Sequence, residues 1–210
     1  MAFIILGILA LIAGIVLQKN EQVAPFAKVA RLVAVLLIIV GVLTKSVVQI
    51  NAGQIGVKTL FGKVQNDVLH SGLHFINPLM EVLSLDIKTQ NYTMSGVQDE
   101  GNRSADDAIR VLTADGLEVT IDLTVLYKLL PSEAPKLVRE TGEDYKDKIV
   151  RPLTRTKIRD NSVYYDAISL YSSKRDEFQQ RIFKSIEDDI KKTGLILEQL
   201  LVRNITLPLS

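Results

Sequence analysis

LEVTIDLTVLYK, residues 117–128, is the most informative segment of the chain. Its apolar side chains occupy every second position from Leu117 to Tyr127, and Leu126 is the one apolar residue on the other face. A period of two residues predicts a half-buried antiparallel strand. Asp115-Gly116 comes directly before it and favours a two-residue hairpin turn, which would pair this strand with residues 109–114.

The segment upstream of this strand also has the pattern of a sheet. Ile55 to Leu60 lead into Phe61-Gly62-Lys63, which supplies the glycine of a tight turn between two strands. Residues 80–94 form either one long strand or a broken pair of strands. The polar, turn-rich residues 95–107 are predicted to form an exposed loop.

Downstream of Pro131 the apolar period becomes helical. Three helices are predicted, from a Ser132 cap to Arg139, from Asp144 to about Arg159, and from a Ser173 cap to Gly194. In the third helix the apolar residues recur every four positions, at Phe178, Ile182, Ile186 and Ile190. Residues 195–207 are expected to be extended. Strands followed by helices indicate an α+β domain, residues 49–208, with an antiparallel sheet and packed helices.

Residues 1–48 are predicted to anchor the chain in a membrane. Residues 2–17 carry no charged side chain, and a second uncharged run extends from Leu32 to Leu43. We expect two transmembrane helices, residues 2–18 and 30–48, because about 20 apolar residues cross a bilayer. A cleaved signal peptide is the alternative for the first run, and a buried helix of a soluble domain for the second. The predicted anchor residues are Ile4, Leu11, Ile15, Leu36, Ile39 and Val42.

The charges beside the anchor predict its orientation. The connector between the two apolar runs carries Lys19, Lys28 and Arg31 against Glu21. The positive-inside rule favours a cytoplasmic connector, so the α+β domain is expected outside the cytoplasm.

The composition and the titratable residues exclude several classes of function. Lys and Arg number 25 against 24 Asp and Glu, a net charge of +1, which gives no reason to expect a nucleic-acid partner. The absence of cysteine excludes disulfides, thiolate metal sites and cysteine nucleophiles. His70 and His74 have the spacing of helical zinc ligands, but Gly72 and Pro78 argue against a helix there. No nucleophile–base set is recognisable, so we predict no enzyme activity, no cofactor and no metal.

Two groups of residues are candidates for contacts with partners. Arg151, Arg155 and Arg159 share one helix face, which is either a solvated stripe or a contact with a neighbouring subunit or with anionic lipid. The apolar loop containing Phe75, Ile76 and Leu79 is either core or a contact with the membrane interface near the anchor.

A series of short motifs follows the anchor in a fixed order. They are NAGQIGV (51–57), LFGKV (60–64), SGLHFINP (71–78), TADGLEV (113–119), VRP (150–152) and IR (158–159), before a terminal extended segment, residues 194–208. This series resembles the stomatin–prohibitin–flotillin superfamily (SPFH, or band 7) and looks most like the prohibitins. The resemblance covers residues 49–208.

The resemblance implies a non-enzymatic scaffold that assembles laterally into a large ring or cage, as a homo-oligomer or with a sister SPFH protein. It implies that the assembly organises a membrane microdomain and encloses or regulates an FtsH-type AAA protease. The expected location is a bacterial inner membrane, or the mitochondrial inner membrane in a eukaryote. The family usually continues past the position of Pro208 into a coiled coil, whereas this chain ends at Ser210. The alternative is a monomeric, membrane-tethered lipid- or ligand-binding module, which requires a concave apolar pocket.

Overall fold

Two apolar helices begin the chain. The computed structural model describes residues 2–17, 24–97, 100–102 and 106–207, and the helices are α1, Ala2–Leu17, and α2, Ala24–Ser46. They approach closely at Gly7, where a Cβ atom would lie 2.7 Å from Ile38 Cγ1 and 3.1 Å from the Ala34 carbonyl oxygen. Because a short connector, residues 18–23, joins the helices and residue 7 lies opposite residue 34, α1 and α2 run antiparallel.

The observed bounds of α2 differ from the predicted span of residues 30–48. The helix begins at Ala24, with Pro25 in its first turn. Proline is tolerated there because the backbone N–H that it lacks would have no hydrogen-bond acceptor within the helix. It ends at Ser46 because Val47 already belongs to the first strand. The α+β domain therefore starts directly at the end of the apolar helix.

Two small antiparallel sheets come next. Their strands are β1 (Val47–Ile50), β2 (Gln54–Leu60), β3 (Lys63–Leu69), β4 (Gly72–Phe75) and β5 (Met80–Asp86). β1 pairs with β4, and β2 lies between β3 and β5. Phe61 and Gly62 join β2 to β3 with φ of 50° and 81°, as a two-residue hairpin turn requires, so the predicted tight turn is confirmed.

The larger sheet is built around its longest central strand. Its members are β6 (Gln90–Met94), β7 (Ile109–Leu112), β8 (Glu118–Leu129) and β9 (Leu195–Thr206), and β8 pairs antiparallel with the other three. The predicted core face of β8 is confirmed at Val119, Ile121, Leu123, Val125 and Tyr127, which are fully buried, whereas Leu117 lies before the strand and is 44% exposed. Asp122 and Thr124 on the other face are only 8% exposed, so the middle of β8 is covered on both faces.

Four α-helices pack against the sheets, the first on the small sheet that contains β3 and the other three on the large sheet. They are α3 (Ala134–Glu140), α4 (Arg151–Ser162), α5 (Ala167–Tyr171) and α6 (Arg175–Lys191). The apolar face of α6 is confirmed, with full burial of Phe178, Ile182, Ile186 and Ile190. Residues 80–94 are a broken pair of strands, β5 and β6, which belong to different sheets. The α+β class and the antiparallel pairing predicted from the sequence are thus confirmed.

Several local predictions are wrong. Five residues separate β7 from β8, and Thr113 N donates to Leu117 O at 3.0 Å, so the turn comprises the three residues 114–116 rather than the predicted two, Asp115-Gly116. Ser132 lies within a 3₁₀ turn, Pro131–Glu133, and Lys174 takes the N-cap position of α6 that was predicted for Ser173. The loop of residues 95–107, by contrast, is exposed at residues 96, 97, 100, 102 and 106 as predicted, and only its ends are buried, with Ser95 1% and Asp107 2% exposed.

Candidate functional site

The first candidate surface is the apolar anchor. Within the described residues one helical segment, Lys28–Ser46, is long and apolar enough to cross a membrane, as judged by its length and composition. Its side chains at Leu36, Ile39 and Val42 are exposed, whereas a core helix of a soluble domain would bury them. In α1 Ile15 is exposed and Leu11 is half-buried, and the side chain of Ile4 lies outside the described ones. α1 has 16 residues, or about 24 Å, less than a hydrocarbon core of about 30 Å.

The second candidate surface is the loop after β4, which lies directly at the end of α2. Ile76 N donates a hydrogen bond of 2.7 Å to the carbonyl oxygen of Ser46, the last residue of α2. Phe75 is 77% and Leu79 62% exposed, and Ile76 is half-buried. The structure therefore places Phe75 and Ile76 beside the end of the apolar helix and Leu79 three residues further along the same loop, and the side chains of Phe75 and Leu79 are exposed.

A further exposed aromatic residue lies at the same end of the domain. Phe61, at the tip of the β2–β3 hairpin, is 84% exposed. Leu60, the residue before Phe61, pairs with Met80 of β5. Met80 N in turn donates a hydrogen bond of 2.9 Å to the carbonyl oxygen of Asn77, which directly follows Ile76. The hairpin tip therefore lies near the end of α2. We call Phe61, Phe75, Ile76 and Leu79 the apolar rim. The sequence predicted a turn at Phe61 but did not indicate that its side chain would be exposed at this end of the domain.

The third candidate was the arginine face of α4, and the structure separates its members. Arg151 Nε donates to both carboxylate oxygens of Asp107, at 3.1 and 3.2 Å, and Arg155 Nη1 donates to Asp107 Oδ1 at 3.1 Å. Burial lowers the pKa of Arg155, and the neighbouring carboxylate of Asp107 opposes that effect. Arg151 and Arg155 therefore hold the domain's own loop, while Arg159 is exposed.

Arg159 lies beside an exposed apolar surface that the sequence did not indicate. A shallow cleft brings Arg159 together with Leu112 and Val163. Hydrogen bonds from Ser162 Oγ to Leu112 O, at 2.8 Å, and from Ala114 N to Tyr165 O, at 2.8 Å, join these segments. We call the exposed apolar residues of this region the α4–α5 patch; they are Leu112, Val163, Tyr164, Ile168 and Tyr171, each 51–72% exposed.

The histidines and the buried tyrosine Tyr127 make contacts within the fold. His74 is on β4, and its Nε2 lies 2.7 Å from the carbonyl oxygen of His70 in the connection from β3, so the two histidines are not on a helix. Burial raises the pKa of Tyr127, whose ring packs edge to face against Tyr145, so its phenol stays protonated. In residues 2–17, 24–97, 100–102 and 106–207, no group of three or more His, Asp or Glu side chains could hold a metal ion.

These features define an α+β domain of the membrane-associated class, carried directly behind an apolar helix. A family model described as SPFH domain / Band 7 family matches residues 48–210, and the chain belongs to that family. It is 22% identical over 147 residues to Prohibitin 1 of Drosophila melanogaster, which confirms the prohibitin-like resemblance. The alignment covers 70% of this chain and 48% of that protein, so the chain spans about half the length of the curated relative it matches. Membership suggests a membrane scaffold role.

Proposed function

We propose that this protein is a membrane-anchored scaffold whose domains pack side by side into a large ring or cage, with copies of itself or with a sister SPFH protein. The observation that carries the proposal is the α4–α5 patch. Exposed apolar side chains grouped on one face of a domain are typical of a surface that another protein covers. Tyr164 and Tyr171 add large aromatic surfaces of the kind that is enriched at interfaces.

A ring needs a head-to-tail contact, in which the α4–α5 patch meets a different face of the next subunit. Arg159 lies at the edge of the patch and has no carboxylate within 4 Å among the described residues. It is available to meet an acidic group of a neighbour and to fix the orientation of the contact. Of the three arginines predicted to contact another subunit, Arg159 is therefore the one that we retain.

The apolar rim supports the second part of the proposal, which concerns the membrane. Phe61, Phe75 and Leu79 are exposed near the end of α2, where an interfacial aromatic side chain stabilises contact with headgroups and upper acyl chains. A domain attached by both a helix and a rim is held at a fixed tilt to the bilayer. Fixed tilt favours closure into a ring, because every subunit then presents its lateral faces at the same height.

The scaffold would act sterically, without making or breaking a covalent bond. A closed wall of subunits would confine the lipids and proteins inside it and so organise a membrane microdomain. We include in the proposal the enclosure or regulation of an FtsH-type AAA protease. We also include location in a bacterial inner membrane, or the mitochondrial inner membrane of a eukaryote, with the domain outside the cytoplasm.

The assembly is tested by extracting the full chain mildly from native membranes and measuring particle mass and shape. We expect closed particles of many subunits, with the protease co-purifying if it is the client. Ile168→Asp combined with Tyr171→Asp should release monomers or small oligomers, because it buries two carboxylates in the contact. Val97→Asp is the matched control, since Val97 is also an exposed apolar residue, 56% exposed, outside the α4–α5 patch.

Monomers from intact membranes of the unmodified protein would contradict the scaffold and favour a membrane-tethered lipid- or ligand-binding module. Equal particle mass for the unmodified protein and the Ile168→Asp/Tyr171→Asp variant would retain the scaffold and reject the α4–α5 patch as its contact.

The membrane contact has its own test, because the chain contains no cysteine. Phe75→Cys and Val97→Cys are each labelled with a polarity-sensitive fluorophore in the full protein reconstituted in vesicles. We expect a blue-shifted emission at residue 75 that is quenched by lipids with a quencher in the upper acyl chain. The fluorophore at residue 97 should show the emission expected in water. Identical aqueous spectra at both positions would reject the apolar rim as a membrane contact.

A further inference from the structure

A cleft of about 660 Å³ lies between β3 and α3. Its polar lining residues are Lys63, Gln65, Asn66 and Arg139. Both charged side chains in the lining are positive, and no carboxylate takes part in it. The volume falls in the range of about 300–1,000 Å³ that is usual for sites that bind small molecules.

The charge of this cleft depends on how its two cations are paired. Lys58, on the adjacent strand, forms an ion pair with Asp67. Among the residues that the structure describes, neither Lys63 nor Arg139 has a carboxylate within 4 Å. Their charges are therefore not neutralised by the domain itself.

The side chain of Arg139 is nevertheless held in place. Its Nη2 donates to Asn66 Oδ1 at 2.6 Å, a contact with a neutral amide that orients the guanidinium and leaves its charge intact. A guanidinium has five N–H donors in a rigid planar fork, which suits the oxygens of a phosphate group. A lysine ammonium in the same cleft adds a second, mobile positive charge.

The entrance of the cleft has a definite position on the domain. Gly62, which lines it, is the neighbour of Phe61 in the apolar rim. Lys63 is thus two residues from a phenyl ring that we place at the membrane surface. At this depth the abundant phosphates are those of phospholipid headgroups, and a cationic side chain near the surface is attracted to anionic lipid.

We propose that the β3–α3 cleft binds the phosphate of an anionic phospholipid, with Lys63 and Arg139 as its cationic ligands. The proposal rests on the membrane placement of the apolar rim given under the proposed function. Gln65 and Asn66 supply amide groups for the polar remainder of the headgroup. The site would make each subunit of the scaffold selective for the lipid beneath it.

Amine acetylation of the full protein in bilayers tests the cleft. The rate at Lys63 is compared with the rate at the exposed Lys191 on α6, in phosphatidylcholine alone and in phosphatidylcholine with phosphatidylglycerol. We expect acetylation of Lys63 to slow several-fold, relative to Lys191, only in the anionic bilayer. Arg139→Gln should abolish this protection and Arg139→Lys should restore part of it. Arg203→Gln, at an exposed arginine on β9 that pairs with Glu100, should leave the protection unchanged.

Three results would overturn the proposal. Protection by inorganic phosphate added to a phosphatidylcholine bilayer would assign the cleft to a free anion rather than to lipid. An unchanged Lys63 rate in the anionic bilayer would exclude the site, and protection that survives Arg139→Gln would locate it elsewhere. Particle mass is measured in the same samples, so loss of the lipid site with an intact assembly is distinguishable from failure of the scaffold itself.

Discussion

Arg155 binds both the side chain and the backbone of Asp107. Its Nη1 donates to the carboxylate Oδ1 at 3.1 Å and to the carbonyl oxygen at 2.9 Å. Arg151 donates to the same carboxylate, so two arginines one turn apart on α4 converge on one acid that is 2% exposed. Asp107 lies two residues before β7, so the contacts of Arg151 and Arg155 with it hold α4 against that strand of the large sheet.

Replacing Asp107 should destabilise the domain strongly. Asp107→Asn removes a buried negative charge and leaves the guanidinium groups of Arg151 and Arg155 without a counter-charge. Because an uncompensated charge in the interior is costly, we expect the free energy of unfolding to fall by about 3–5 kcal/mol. Asp106→Asn is the control, because Asp106 pairs with Arg110 at the surface and such pairs contribute less than about 1 kcal/mol. Denaturant unfolding of both variants checks the difference. Similar losses in the two variants would contradict the structural role of the cluster.

The turn that follows α6 should not tolerate a side chain. Gly194 has φ of +85°, and a Cβ atom there would lie 2.5 Å from Glu133 Cβ. Gly116 has φ of +76° with nothing within 4 Å of the corresponding position. Gly116→Ala should therefore lower the free energy of unfolding by about 1 kcal/mol for the backbone alone. Gly194→Ala should lower it by about 1–3 kcal/mol more because of overpacking. Equal losses in a denaturant titration would show that Glu133 moves aside freely.

The contact between α4 and α6 should weaken in acid. Asp189 on α6 accepts from Lys157 at 2.6 Å and from Lys192 at 2.7 Å, and these hydrogen bonds lower its pKa to about 2. A carboxyl whose pKa is lower in the folded state stabilises the fold above its unfolded pKa, and that contribution disappears as the pH falls toward the folded pKa. The stability difference between the unmodified protein and Asp189→Asn should therefore shrink between about pH 4 and pH 2. A pH-independent difference in thermal unfolding would contradict this assignment.

The elements that the sequence predicted are those whose signals are local. β8 and α6 each show a regular period along one segment, and burial follows that period at Val119 and at Phe178. The Phe61-Gly62 turn was recognisable from Gly62, because glycine readily adopts the positive φ that this turn requires. α5 gave no signal, since five residues are too few to show a helical period.

The contacts between distant segments could not be predicted in the same way. Arg151 and Asp107 lie 44 residues apart, and their pairing depends on how α4 packs against the sheet. The exposure of Ile168 could not be predicted either, because residue type alone does not distinguish an exposed isoleucine from a buried one. The packing of α5 decides which of its side chains are exposed. The apolar rim was partly predictable, since Phe75 is near the anchor in sequence, whereas Phe61 reaches that end through strand pairing.

Single-cysteine labelling should establish how the anchor crosses the membrane, because the chain has no cysteine of its own. Cysteine is placed at Ala2, at Asn20 in the connector and at the exposed Ser132 of the domain, and intact cells are treated with a membrane-impermeant maleimide. Two spanning helices with an external domain predict labelling of residues 2 and 132, and labelling of residue 20 only after permeabilisation. If α1, at 16 residues, does not span, residue 2 will behave like residue 20. Labelling of residue 20 alone in intact cells would place the domain in the cytoplasm and reverse the proposed orientation.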